Sequence, residues 1–148
     1  MLIARIALSL ILVCLAGAAA AGPLEAAMAN AHMKAVAGGD IDGVLSHYAE
    51  DATLYWIGGP LDGVYKGTAQ IREVWTKFAK ANDGEPRSAT FGKLEQNANP
   101  NGATLMVSAE YGGKIPVKTR HVQVYRDGKL VNEIWQIDPR LQVTGNLD

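Results

Sequence analysis

The chain has 148 residues, with 14 basic and 15 acidic side chains and a formal net charge of −1. That balance, without any basic run interleaved with aromatics, argues against a nucleic-acid partner. Cys14 is the only cysteine, which excludes an intrachain disulfide and a thiolate metal site.

The first predicted element is a leader. Arg5 precedes an apolar run from Ile6 to Leu15, and Ala19-Ala20-Ala21 offers a small-residue cleavage site before Gly22. This is the layout of a secretory signal peptide over residues 1–21. A retained anchor is the alternative, but the run is shorter than the roughly 20 residues of a spanning helix. Lipid attachment at Cys14 is disfavoured by Val13, where a small residue is wanted. Removing 21 residues leaves 127, taking Cys14 and Arg5 away and leaving 13 bases against 15 acids, a net charge of −2. A single domain over residues 22–148, periplasmic or secreted and with no membrane attachment after cleavage, is the expectation.

Leu24, Ala27, Met28, Ala31, Ala35 and Val36 recur near helical spacing and predict a first helix over 24–37, ended by Gly38-Gly39. Asp40 caps a short second helix with Ile41, Val44, Leu45 and Tyr48 on its apolar face. His47, Tyr48 and Asp51 read as packing and capping of that helix. Residues 52–57 are β-branched and aromatic and predict a strand, broken by Gly58-Gly59-Pro60 and Asp62-Gly63. Thr68 caps a third helix with the stripe Ile71, Val74, Trp75 and Phe78. Beyond Gly84 the period changes from helical to alternating, predicting strands over 88–96, 103–111, 117–125 and 130–137. Helices followed by a meander argue α+β, a curved antiparallel sheet carrying helices on its concave face.

The block Gly39-Asp40-Ile41-Asp42-Gly43-Val44-Leu45-Ser46-His47-Tyr48, continuing through Thr53-Leu54-Tyr55-Trp56 and a rim loop to Tyr65-Lys66-Gly67-Thr68-Ala69-Gln70-Ile71-Arg72-Glu73-Val74-Trp75, resembles the SnoaL-like branch of the nuclear transport factor 2-like (cystatin-like) superfamily. The segments Ser108-Ala109-Glu110-Tyr111-Gly112-Gly113 and Val124-Tyr125-Arg126-Asp127-Gly128-Lys129-Leu130-Val131 look like its third and fifth strands. The resemblance runs from about Met28 to Asp138. It implies a cone, its sheet wrapped around three N-terminal helices, with one apolar pocket. It leaves activity open, because the superfamily holds isomerases, cyclases, dehydratases, epoxide hydrolases and non-enzymes.

Alignment with ketosteroid isomerases, which share that fold, implies where the pocket residues lie. His32 falls at the oxyanion-hole tyrosine, Trp56 at the aspartate base and Arg120 at the protonated aspartate. An indole is no base, so isomerisation of that kind is not expected. With Arg120 inward, Val122 and Val124 face the pocket as well and His121 points out. Glu133, Trp135 and Ile137 share the inner face of the last strand. Leu54 and Trp56 line the opposite wall, with Trp75 and Phe78 contributed by the third helix. The expected site is therefore aromatic and aliphatic, with a polar cluster of His32, Arg120 and Glu133. The plainer alternatives are a core histidine at 32 and a structural Arg120–Glu133 ion pair. His32, His47 and His121 form no ligand spacing for a metal, and no cofactor motif is present.

Three functions follow. One is binding of a small lipophilic molecule with an acidic or carbonyl end held by Arg120 and His32. A second is a cofactor-free cyclase, dehydratase or isomerase with His32 as acid/base and Arg120 as oxyanion stabiliser. The third is an interaction module, since superfamily members commonly form homodimers through the outer face of the sheet.

Overall fold

The computed structural model describes residues 23–144, so the expected leader over 1–21 lies outside the described residues. Three helices, α1 (Pro23–Gly38), α2 (Ile41–His47) and α3 (Gly67–Lys80), accompany seven strands. These are β1 (Tyr48–Ile57), β2 (Gly63–Lys66), β3 (Ala89–Phe91), β4 (Glu95–Asn99), β5 (Gly102–Tyr111), β6 (Val117–Arg126) and β7 (Lys129–Ile137). They form one sheet in the order β2-β1-β7-β6-β5-β3, with β4 also on β5. The sheet is mixed: β1 and β7 run parallel, and the other pairs are antiparallel. Among the described residues, no helix is long and apolar enough to cross a membrane.

Local chemistry explains most boundaries and several departures from expectation. Asp40 accepts from the Gly43 N–H at 2.9 Å and starts α2 as expected. Tyr48 ends that helix in extended conformation and opens β1 instead of completing the helical face. The start of α3 is held by the Gln70 side chain, which accepts from the Lys66 N–H at 2.9 Å, while Thr68 lies one residue inside the helix. The strand expected over 88–96 is split into β3 and β4. Gly92 turns its N–H to the Ser108 carbonyl at 2.8 Å between the two pieces.

On α1 the buried stripe is Ala29, His32, Met33 and Val36, not the one led by Leu24, which is 60% exposed. Alanines all round the helix give periodicity no single face to report. The stripes of α1 and α3, the latter Ile71, Val74, Trp75 and Phe78, pack into the concave face against Leu54, Trp56, Leu105, Tyr111 and Trp135. Fully burying one such large side chain contributes about 1.5–3 kcal/mol.

Candidate functional site: a buried carboxylate beneath a cationic, apolar cavity

Glu133 projects from the inner face of β7 into the closed part of the cone. Its carboxylate accepts from the Tyr48 hydroxyl, from His32 Nε2 at 3.3 Å and from Gln123 Nε2 at 3.2 Å. Trp75 Nε1 donates to the Tyr48 oxygen at 3.1 Å, and the Tyr125 hydroxyl donates to Gln123 Oε1 at 3.4 Å. Burial opposes ionisation of Glu133, but the adjacent His32 and His121 imidazoles outweigh it. Its pKa therefore lies well below the usual carboxylate range. Burial, and then that negative charge, push the Tyr48 and Tyr111 hydroxyls up.

His121 lies beside this centre. Trp135 Nε1 donates to His121 Nδ1 at 2.8 Å. An indole N–H can only donate, so Nδ1 is unprotonated and the neutral ring carries its proton on Nε2. Burial lowers the His121 pKa below its ordinary value, and Glu133, with Oε1 3.7 Å from Nδ1, opposes that shift.

The inward position of His121 reverses the expectation for all of β6. Arg120, Val122 and Val124 lie on the outer face, and Thr119, His121, Gln123 and Tyr125 lie on the inner one. The cause is a bulge. Asp127-Gly128, both with positive φ, makes a two-residue hairpin turn that pairs Arg126 with Lys129 and Tyr125 with Leu130. Without a bulge, Arg120 would then stand opposite Trp135. The register instead jumps from Tyr125–Leu130 to Val124–Asn132, which leaves Val131 unpaired. Every later pair moves by one residue, which exchanges the two faces. His121 stands opposite Trp135, and Arg120 stands opposite Gln136. The Arg120 guanidinium is exposed, with Nη1 3.3 Å from Met106 Sδ and Nη2 3.4 Å from Ser108 Oγ. It joins neither His32 nor Glu133.

Leu54, Trp56, Trp75, Phe78 and Trp135 are buried inside the cone. The Trp56 ring packs tilted 4.6 Å from Trp135 and edge-on 5.5 Å from Trp75, and Phe78 lies 5.3 Å from Trp135. This aromatic layer covers the Glu133 centre. Above it, a cavity of about 470 Å³ opens between the rim loop at Gly58–Leu61, the end of α3, and the segment Ile115–Lys118. Of the residues expected to face the pocket, Trp56, Phe78 and Ile137 line this cavity. His32, Glu133, Leu54, Trp75 and Trp135 lie beneath or beside it.

Among the described residues, the charged ones lining the cavity are Lys77, Arg87 and Lys118, all cations. Arg87 is buried. Its Nη1 donates to the carbonyls of Gly112 at 2.9 Å and Ile115 at 3.1 Å, and its Nη2 to that of Phe78 at 3.4 Å. The guanidinium carbon stands 4.5 Å over the Phe78 ring. Among the described residues, no carboxylate pairs with Arg87. Lys77 and Lys118 face Glu73 at 2.7 Å and Glu110 at 4.0 Å. Sequence reasoning missed Arg87 because the loop after Gly84 has no periodicity to orient it. It missed His121, Gln123 and Tyr48 through the bulge and the early start of β1.

An α+β cone with a cavity at its open end and a curved sheet around three helices is the nuclear transport factor 2-like fold. A structure from Burkholderia xenovorans of a nuclear transport factor 2-like protein of unknown function superposes with a TM-score of 0.63 at 19% identity, covering 82% of this chain and 88% of that one. A second of that description, from Pseudomonas putida, gives 0.64 at 19% identity over 84% and 93%. A candidate polyketide cyclase from Sinorhizobium meliloti gives 0.54 at 21% identity over 74% and 94%. The SnoaL-like domain model matches residues 29–133, and the chain belongs to that family. No curated protein sequence matches it.

Proposed function

We propose that this chain is an exported SnoaL-like protein that binds a small lipophilic molecule with an acidic or carbonyl end in the cavity at the open end of the cone. The observation that carries this reading is the lining: apolar walls from Trp56, Leu61, Phe78, Ile115 and Ile137, and charged groups that are all cationic. An apolar body with a negative or carbonyl head satisfies both. Arg87 takes the part that the sequence suggested for Arg120. Carbonyl dipoles and the Phe78 ring face its charge, so a ligand carboxylate supplies the counter-ion it lacks among the described residues. The leader-like residues 1–21 support export. A thermal-shift comparison of dodecanoate with 1-dodecanol, and of 2-naphthoate with 2-naphthol, tests the reading. The acids raise the melting temperature more than the alcohols. Equal shifts for both members of each pair, or none, would refute it.

A cofactor-free reaction of the cyclase, dehydratase or isomerase type is the alternative, and the likeness to the Sinorhizobium protein favours it. It requires a substrate to pass the Trp56–Trp135 layer and reach His32 and Glu133. The covered position of those two residues makes binding the better-supported reading.

Self-association is supported by a separate observation. Val64, Tyr55, Ile134, Val122 and Met106 pair in succession across β2, β1, β7, β6 and β5, forming one apolar row on the outer face. A second copy of the chain is the partner this row suits, giving a homodimer with the cavities facing away from the interface.

A further inference from the structure

His121 Nδ1 can hold either the Trp135 indole proton or a proton of its own, and it cannot hold both. In the present arrangement it accepts from Trp135 at 2.8 Å, while Glu133 Oε1 waits 3.7 Å away. A proton taken up on Nδ1 turns that atom into a donor, for which the Glu133 carboxylate is the acceptor in reach. The indole N–H of Trp135 is then left without a partner in a fully buried site, which favours displacement of the ring. Trp135 cannot move alone. Its ring lies 4.6 Å from Trp56 and 5.3 Å from Phe78, the two aromatic side chains that line the cavity. Close-packed interiors transmit such displacements.

We propose that His121 and Trp135 form a proton-operated latch under the cavity: protonation of the imidazole releases the indole, loosens the aromatic floor and lowers the affinity for the lipophilic anion. This rests on the ligand-binding reading above and adds its regulation. The titratable groups facing His121 are Glu133 from β7, His32 from α1 and Tyr111 from β5. Glu133 favours the protonated form, whereas His32 and burial oppose it, burial most strongly. The latch therefore opens below the ordinary imidazole value of 6.5. The direction is fixed: the closed, binding form belongs to neutral pH and the open form to acid.

The probe is 8-anilinonaphthalene-1-sulfonate, whose sulfonate stays ionised throughout, so any titration belongs to the protein. Its dissociation constant is measured in small pH steps from about pH 7.5 down to the onset of acid unfolding, where one linked proton changes affinity by at most about tenfold per pH unit. In parallel, the Trp135 indole N–H resonance is followed in protein carrying ¹⁵N-labelled tryptophan. The wild-type chain loses several-fold in affinity on acidification, and the indole resonance moves with the same midpoint. His121→Gln keeps an acceptor for the indole and cannot titrate. It binds as tightly as wild type near neutrality and loses both the affinity change and the movement of the resonance. Trp135→Phe has no indole proton to release and is likewise insensitive to pH.

An indole resonance that stays fixed would overturn the latch, whatever the probe does. A resonance that moves while affinity stays constant would overturn the link to the cavity. Absence of probe binding at neutral pH would instead refute the ligand-binding reading, and the gate on that cavity with it. The indole titration separates that failure from a failure of the His121–Trp135 exchange.

Discussion

Replacing Glu133 by glutamine tests whether the buried centre holds the cone together as a charged unit. Three donors converge on the carboxylate, from Tyr48, His32 and Gln123. Each bond is charge-assisted, and making it neutral loses about 1 kcal/mol, or about 3 kcal/mol for the three. Glutamine also turns an NH₂ group toward one of these donors, adding an unsatisfied contact of about 1–3 kcal/mol. Relief from burying a charge offsets part of both losses. The net expectation is a loss of about 2–4 kcal/mol at pH 7. With a urea dependence of about 2 kcal/mol per molar, the unfolding midpoint falls by about 1–2 M.

The pH dependence gives a second, sharper readout. The folded state holds the Glu133 pKa below its ordinary value of 4.5, so the folded chain binds fewer protons than the unfolded chain in acid. The stabilisation is complete above that value and declines as pH falls through it toward the lower folded value. Glutamine at position 133 has no such limb. The gap between wild type and variant is widest near neutrality and narrows as pH falls from about 6 to about 3. A variant within about 0.5 kcal/mol of wild type at pH 7, or a gap of constant size across that range, would show that Glu133 is not held ionised by its neighbours.

Other outcomes follow from the same geometry. Arg120→Ala removes an exposed guanidinium and changes stability by less than about 0.5 kcal/mol, with the acid-over-alcohol preference in thermal shift retained. Arg87→Met removes three carbonyl contacts and the buried charge, lowers stability by about 2–4 kcal/mol in urea unfolding, and abolishes that preference. Val122→Glu puts a charge in the middle of the outer apolar row. It converts a dimer to a monomer by light scattering while leaving circular dichroism unchanged, and a wild-type chain that is monomeric at all concentrations would rule out the homodimer.

Much of the fold was legible in residue types alone. The Asp40 cap, the Ile71–Phe78 stripe and the Asp127-Gly128 turn each act over a few residues, and a local signal survives in a single sequence. The parallel pairing of β1 with β7 was not legible. It joins segments far apart in the chain, and alternation within a strand carries no information about which neighbour that strand takes. The first helix was found, but its inner face was not, because alanine suits both the buried and the exposed side.

The site was harder to read for a reason specific to β6. Its inner face carries Thr119, His121, Gln123 and Tyr125, and its outer face carries Val122 and Val124 between Arg120 and Arg126. A polar interior and a partly apolar exterior invert the usual alternation, so hydrophobicity points the wrong way. Extrapolation from the turn gives the same wrong answer, because without the unpaired residue at Val131 the register would set Arg120 opposite Trp135. One signal did remain: Lys118, Arg120 and Arg126 share a parity, and three cations on one face of a central strand belong in water rather than in a closed cone. Following the charges instead of the alignment with ketosteroid isomerases would have sent Arg120 outward and His121 inward. The cation for the ligand would then have been sought among residues outside the sheet, where Arg87 lies. The polar inner face and the bulge are two parts of one arrangement, because the shift in register is what sets His121 against Trp135 and Gln123 against Glu133.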